Sequence, residues 1–227
     1  HKLINLKNQY STIGIIGVYE SLKYFGMTFT DKFGNTAYTN EGVEFMEDIL
    51  AMVTDVKNNF TKDKDYNANI EQVPAERCAA ILQQKDFLFY PDEVVEDLPL
   101  YGNQWIPLGI KSTLYEKISL SAILDKACSG GSIAHINLDA PLDNFEKAWG
   151  LLNFIASEGV TYFAFNVRIS ACEHNHGFFG NICPYCGGKV NTTWQRIVGF
   201  LTPVSSYSKD RKNEFNTRYW LSRGELD

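Results

Sequence analysis

The stretch CEHNHGFFGNICPYC, Cys172 to Cys186, places three cysteines and two histidines within fifteen residues. Cys183-Pro184-Tyr185-Cys186 is followed by Gly187-Gly188. Two thiolates two residues apart can grip one cation while the glycines let the backbone turn beneath it. A tetrahedral site needs a second pair of ligands. Cys172 supplies one, and the other is His174 or His176. The His176-Gly177 step, which gives the chain a turn after the ligand, favours His176. A lone C-x-x-C also reads as a redox dithiol, but the added Cys-plus-His half makes a zinc ribbon the better reading. Four protein ligands, Cys172, His176, Cys183 and Cys186, leave no open position for a water nucleophile. The expected zinc is therefore structural rather than catalytic.

The rest of the sequence narrows what such a ribbon can serve. With 227 residues, 44% of them hydrophobic and 14% aromatic, the chain can bury a substantial core as one large domain or two small ones. Its net charge of −6 argues against a nucleic-acid surface, since phosphate neutralisation needs concentrated Lys and Arg. The one basic run, Lys209 to Lys212, is broken by Asp210 and reads as a solvated face. No apolar run is long enough to span a bilayer, so no membrane association is expected. An odd cysteine count with three clustered at ligand spacing fits a reducing, cytoplasmic setting better than a disulfide framework.

Upstream of the ribbon the pattern is α/β. Thr12 to Gly26 gives a short apolar run and then a helix through Val18, Leu22 and Phe25 that stops at Gly26. Thr39 to Val53 has helical spacing, with Thr39 or Asn40 as N-cap. Pro74 is placed to open a helix whose apolar face is Cys78, Ala79, Ile81 and Leu82, so Cys78 is read as core. Phe87 to Pro107 has no period and is expected to be loop with short strands. Ser119 to Ala127 reads as a helix. Ser129-Gly130-Gly131 then turns into a strand over Ile133 to Leu138. A helix from about Leu142 to Ser157, with Phe145, Trp149, Leu152 and Ile155 near one face, leads to a buried strand over Val160 to Ile169. Strand, helix and strand at this length make a βαβ crossover, hence a parallel sheet. His135, alternating within its strand, is read as a satisfied core or interface histidine, and Cys128 as structural.

Gly199 lies in the apolar segment Arg196-Ile197-Val198-Gly199-Phe200-Leu201 after the ribbon. Alone it reads as a bulge or a close backbone approach. In combination, CPYCGG, then Arg-x-x-Gly-aromatic-Leu, then the polar tail Ser205 to Trp220 resembles the C-terminus of the anaerobic, class III ribonucleoside-triphosphate reductases, which are glycyl radical enzymes. The resemblance extends upstream through GGSIAHINL, VTYFAFNV, QVPAERCAA and TIGIIGVYE. One departure is that the family's ribbon usually has two C-x-x-C pairs, whereas Asn175 stands where the second cysteine of the first pair would fall.

The resemblance implies a fold, a site and a set of partners. The fold would be the C-terminal part of a ten-stranded α/β barrel over residues 1–169, a zinc-binding ribbon over 170–190, and a glycyl radical loop with tail over 191–227. Gly199 would store the radical, generated by a radical-SAM activase. A glycine suits this because an unpaired electron at Cα spreads over the flanking amides, and no Cβ obstructs the flattening. Ile197, Val198, Phe200 and Leu201 would shield it from water and oxygen. The thiyl cysteine that attacks the ribonucleoside triphosphate would lie in an upstream portion of the enzyme, so the chain alone is not expected to reduce a nucleotide. A homodimer is also implied. Competing readings are another glycyl radical enzyme, or a zinc-stabilised scaffold domain in which Gly199 is only part of a strand.

Overall fold

The computed structural model describes residues 5–64, 66–95, 97–196 and 200–226. Strand β1 (Tyr10–Gly14) leads through Gly17, at φ +77°, into helix α1 (Val18–Tyr24). Gly26, at φ +70°, stops that helix as the sequence suggests, but Phe25 falls outside it and is exposed. A hairpin follows that sequence periodicity does not reveal, β2 (Thr28–Thr30) against β3 (Thr36–Tyr38). Its turn is built by the Asp31 side chain, which accepts from the Phe33 and Asn35 N–H groups, with Gly34 in the left-handed region. Helix α2 (Asn40–Thr61) is capped by the Thr39 hydroxyl, which accepts from Gly42 N–H. Strand β4 (Asn67–Glu71) then pairs in parallel with β1.

Helix α3 (Glu76–Phe89) begins two residues after Pro74, because Ala75 takes a left-handed φ of +51° ahead of it. That entry turns the helix relative to the expected face. Cys78 is exposed, while Ala79, Ala80 and Gln83 are buried, with Gln83 Nε2 donating to Leu98 O. Small side chains let the segment around Leu100 and Tyr101 pack closely on α3, a preference that apolar spacing alone does not report. Among the described residues no strand forms between Phe89 and Leu114, contrary to expectation. Helix α4 (Leu114–Leu124), capped by Thr113, starts earlier than predicted and tightens into a 3-10 turn over Asp125–Ala127.

Strands β5 (Ala134–Asn137) and β6 (Phe163–Asn166), joined by helix α5 (Phe145–Ser157), form the parallel βαβ unit the sequence predicts. The two parallel pairs meet at one bridge, Glu71 opposite Gly131. A Cβ on Gly130 would lie 2.4 Å from Asn69 Nδ2, so the turn there needs glycine for close approach to β4. The apolar stripe of α5 is divided. Leu151 and Ile155 are buried against Ile136, Leu138 and Leu221, whereas Phe145 and Trp149 stack on each other at the surface.

The expected strand over Val160 to Ile169 is also divided. After β6 the chain leaves the parallel sheet, and β7 (Ile169–Ala171) enters a separate antiparallel sheet with β8 (Gly177–Phe178), β9 (Thr192–Arg196) and β10 (Leu201–Pro203), in the order β10-β9-β7-β8. The tail does not trail away. Helix α6 (Lys209–Thr217) and the residues after it fold back on the α/β part, where Leu221 bridges Leu138 and Tyr219 N–H donates to Leu108 O. The fold is mixed α/β, and among the described residues no helix is long and apolar enough to cross a membrane.

Candidate metal centre and the strands beside it

The cluster forms where two short turns converge. From Cys172 the chain reverses within five residues: Asn175 N–H donates to Cys172 O, Cys172 N–H donates to His176 O, and Asn175 itself sits at φ +60°. Asparagine tolerates that left-handed conformation, so Asn175 makes the turn. The turn brings His176 inward and leaves His174 exposed. The second turn is the C-x-x-C knuckle. Gly187, at φ +70°, donates to Cys183 O, and Cys183 N–H donates to Gly188 O. A Cβ on Gly188 would stand 3.3 Å from Cys186 Sγ and 3.7 Å from Cys172 Cβ, so the second glycine keeps the cluster open.

The ligand atoms of Cys172, His176, Cys183 and Cys186 all lie within 4.8 Å of one another. Cys172 Sγ and Cys186 Sγ are 3.7 Å apart, and Cys183 Sγ is 3.5 Å from His176 Nδ1. Bond lengths of about 2.3 Å to sulfur and 2.0 Å to nitrogen put tetrahedral edges at about 3.8 Å for two sulfurs and about 3.5 Å for sulfur and nitrogen. The donor set and its spacing therefore fit a metal such as zinc.

Electrostatics favours thiolates at two of the three sulfurs. Burial pushes the Cys172 thiol up, but the backbone N–H groups of His176 and His174 outweigh it and hold it below the usual thiol range. Cys183 is shifted down in the same way, with Tyr185 and Cys186 N–H groups overcoming burial. Cys186 moves up: Gly188 N–H lowers it, but desolvation and the neighbouring sulfurs prevail. Three sulfurs this close repel one another as anions, and a cation relieves that repulsion.

Strand β9 carries the cluster's position toward the C-terminus. It pairs with β7 on one side and with β10 on the other, and Leu201 is the register partner of Arg196. Gln195 is 1% exposed, and its carbonyl accepts from the Tyr207 hydroxyl at 3.1 Å, which ties the end of β9 to the tail. The expected radical position, Gly199, lies outside the described residues together with Ile197 and Val198. Its described neighbours do not provide the anticipated shield within this chain. Phe200 is 82% and Leu201 51% exposed, at the start of β10, which is an edge strand among the described residues.

The remaining candidates settle as packing residues. Cys128 belongs to the core cluster of Leu50, Ile70 and Leu124, and burial pushes its thiol up to about 12. His135 lies on β5, with Nδ1 3.1 Å from Asn166 Nδ2. Burial, then the charges of Arg218 and Arg196, lower its pKa to about 4, so it is neutral at pH 7. Sequence periodicity did not single out the buried clamp of Glu214, whose two oxygens accept from Arg218 Nε and Nη2 at 2.8 and 2.9 Å. The i, i+4 spacing of Glu214, on α6, and Arg218, just past its end, is the signal that marks it.

A family model described as anaerobic ribonucleoside-triphosphate reductase matches residues 3–220. Among solved structures, one titled anaerobic ribonucleotide reductase superposes with a TM-score of 0.88 at 38% identity, covering 95% of this chain and 35% of that one. The anaerobic ribonucleotide reductase from Thermotoga maritima with glycerol in the active site gives 0.82 at 39% identity, over 91% of this chain and 34% of that one. The same enzyme in complex with dATP and CTP gives 0.80 at 38%, over 92% and 34%. The chain thus spans about a third of the length of these structures. No curated protein matches the sequence.

Proposed function

The chain belongs to the anaerobic ribonucleoside-triphosphate reductase family, and from that membership we propose that it is the glycyl-radical-bearing part of such an enzyme. In this reading Cys172, His176, Cys183 and Cys186 hold a structural zinc, and Gly199 stores the radical. Residues 1–169 are the C-terminal part of a ten-stranded α/β barrel, 170–190 the ribbon, and 191–227 the radical loop and tail. An upstream portion of the reductase carries the thiyl cysteine and binds the ribonucleoside triphosphate. The exposure of Phe200 and Leu201 makes that portion, or a second subunit of a homodimer, the source of the cover the radical needs. The enzyme works in the cytoplasm, served by a radical-SAM activase.

The observation that carries this reading is the path from the cluster to the glycine. Strand β7 runs straight into ligand Cys172, β9 pairs along β7, and Gly199 falls between Arg196 and Leu201, which β9 and β10 hold as register partners. A bound zinc would supply fixed coordination geometry and no redox chemistry. The protein's own part is positional, since a radical centre must stay within reach of one partner and a loop without a supporting shell is too mobile.

Electron paramagnetic resonance tests the proposal. Anaerobic incubation of the chain with a competent activase, S-adenosylmethionine and reductant is expected to yield a glycine-centred doublet, and Gly199→Ala should abolish it. Brief air exposure should then cleave the backbone at position 199 and release the C-terminal peptide. No doublet from the intact chain, with an activase proven on another substrate, would leave a zinc-stabilised scaffold as the better account.

A further inference from the structure

Between α1 and α3, away from the Cys/His cluster, lies a cavity of about 460 Å³. Aromatic rings at the C-terminal ends of both helices line it, Tyr24 and Phe25 on one side and Tyr90 on the other, with Tyr101 on the following segment. Its charges are all of one sign. Glu20, Asp86 and Glu93 are among the described lining residues, and no lysine, arginine or histidine is.

Two of the three carboxylates already have donors. Asp86 accepts from the Tyr101 hydroxyl at 2.5 Å, and Glu93 accepts from the Tyr24 hydroxyl at 2.9 Å. Glu20 differs. It is 5% exposed, its Oε1 accepts from Gly102 N–H at 2.9 Å, and its Oε2 is buried with no hydrogen-bond partner. An unpartnered buried carboxylate oxygen is costly, and burial here pushes the carboxyl up to about 7. A positively charged donor in the cavity would offset the field of all three acids, and a turn of the Glu20 side chain toward it would satisfy Oε2. The ring faces, negative at their centres, favour the same charge.

We propose that this cavity binds a small organic cation, with a primary ammonium on Glu20 and its apolar body against the tyrosine and phenylalanine rings. A hard metal ion is disfavoured because it demands six or more oxygen ligands, and among these aromatic walls Asp86 and Glu93 are already bonded to tyrosine hydroxyls. A neutral donor would fill the hydrogen bond but leave the charge unbalanced. The volume lies within the usual range for small-molecule sites. This inference is independent of the radical reading.

Calorimetric titration of the 227-residue chain at mildly alkaline pH, with benzylammonium and with benzyl alcohol as a neutral counterpart, tests it. Benzylammonium should bind saturably at one site, about tenfold more tightly than the alcohol. Glu20→Gln keeps the acceptor for Gly102 N–H and removes the charge, so it should erase that preference. Tyr90 is 59% exposed, so Tyr90→Ala removes a wall without touching the core and should weaken both probes roughly threefold. Equal affinity for the two probes, no saturable binding, or a preference that survives in folded Glu20→Gln would overturn the proposal. Should Glu20→Gln fail to fold, unchanged affinity in Tyr90→Ala would do so.

Discussion

The α/β part and the antiparallel sheet after it are held together by different physics. In the first, side chains from α1, α2, α4 and α5 bury against parallel strands: Leu22, Leu50, Ile70 and Leu124 in one cluster, Ile118, Ile136, Leu138 and Ile155 in another. In the second, the buried cluster is Cys172, Phe178 and Cys183, with Val190 against it. So little apolar surface cannot offset the entropy of ordering two tight turns and four short strands. One chain therefore contains a region that folds by excluding water and another that, in the proposed reading, is held by a filled ligand set.

The sharpest way to break this contrast is to remove the metal or one ligand. Chelation, or Cys172→Ser, should cost the ribbon most of a coordination free energy of roughly 10–16 kcal/mol. Hydrogen exchange should then show protection lost in β7, β8 and the knuckle while the amides of α2 and α4 keep theirs. Uniform loss of protection would mean that the two regions are one cooperative unit.

The converse substitution should be smaller and fall on the other side. Ile136 is 1% exposed, and Ile136→Ala should cost about 2–5 kcal/mol in urea unfolding, with metal stoichiometry unchanged. A variant that lost metal in parallel would show the antiparallel sheet to be borrowing stability from the α/β part.

The smallest expected effect is a pH dependence that belongs to the α/β part alone. His135 has its pKa lowered from 6.5 to about 4, so between those values the unfolded chain binds the extra proton. Its contribution is complete above pH 6.5 and is lost as pH falls toward 4, with a slope of at most about 1.4 kcal/mol per pH unit. Glu20, raised from 4.5 to about 7, acts in the opposite sense: its contribution is complete below 4.5 and is lost as pH rises through 7. The difference between wild type and His135→Gln therefore isolates the histidine. If that difference did not change across the window, His135 would be solvated rather than buried.

How much of this was legible in advance depends on how local each feature is. The cap at Thr39, the stop at Gly26 and the βαβ order of β5, α5 and β6 follow from nearest neighbours and periodicity. The Asp31 hairpin was equally local and was missed, because its strands are only three residues long and leave no period to count. Facing was harder. Periodicity marked Cys78 and Phe145 as apolar-face residues, yet both are exposed, since the face a helix buries is set by what lies opposite it. The break between β6 and β7 has the same origin, because an apolar run does not state which sheet will receive it.

By itself, the sequence determined the cysteine pair of the knuckle, since two cysteines and two glycines make that turn within six residues and need no distant partner. It likewise determined the family, through motifs that keep their order along the chain. Only the tertiary structure decided that His176 rather than His174 turns inward, because both spacings reach a metal and the choice rests on the left-handed backbone at Asn175. It also decided that the tail returns to Leu138, and that Glu20, lining an aromatic cavity, keeps an unsatisfied buried oxygen. Those outcomes depend on contacts between residues far apart in the chain, and no local pattern encodes which distant surface will be met.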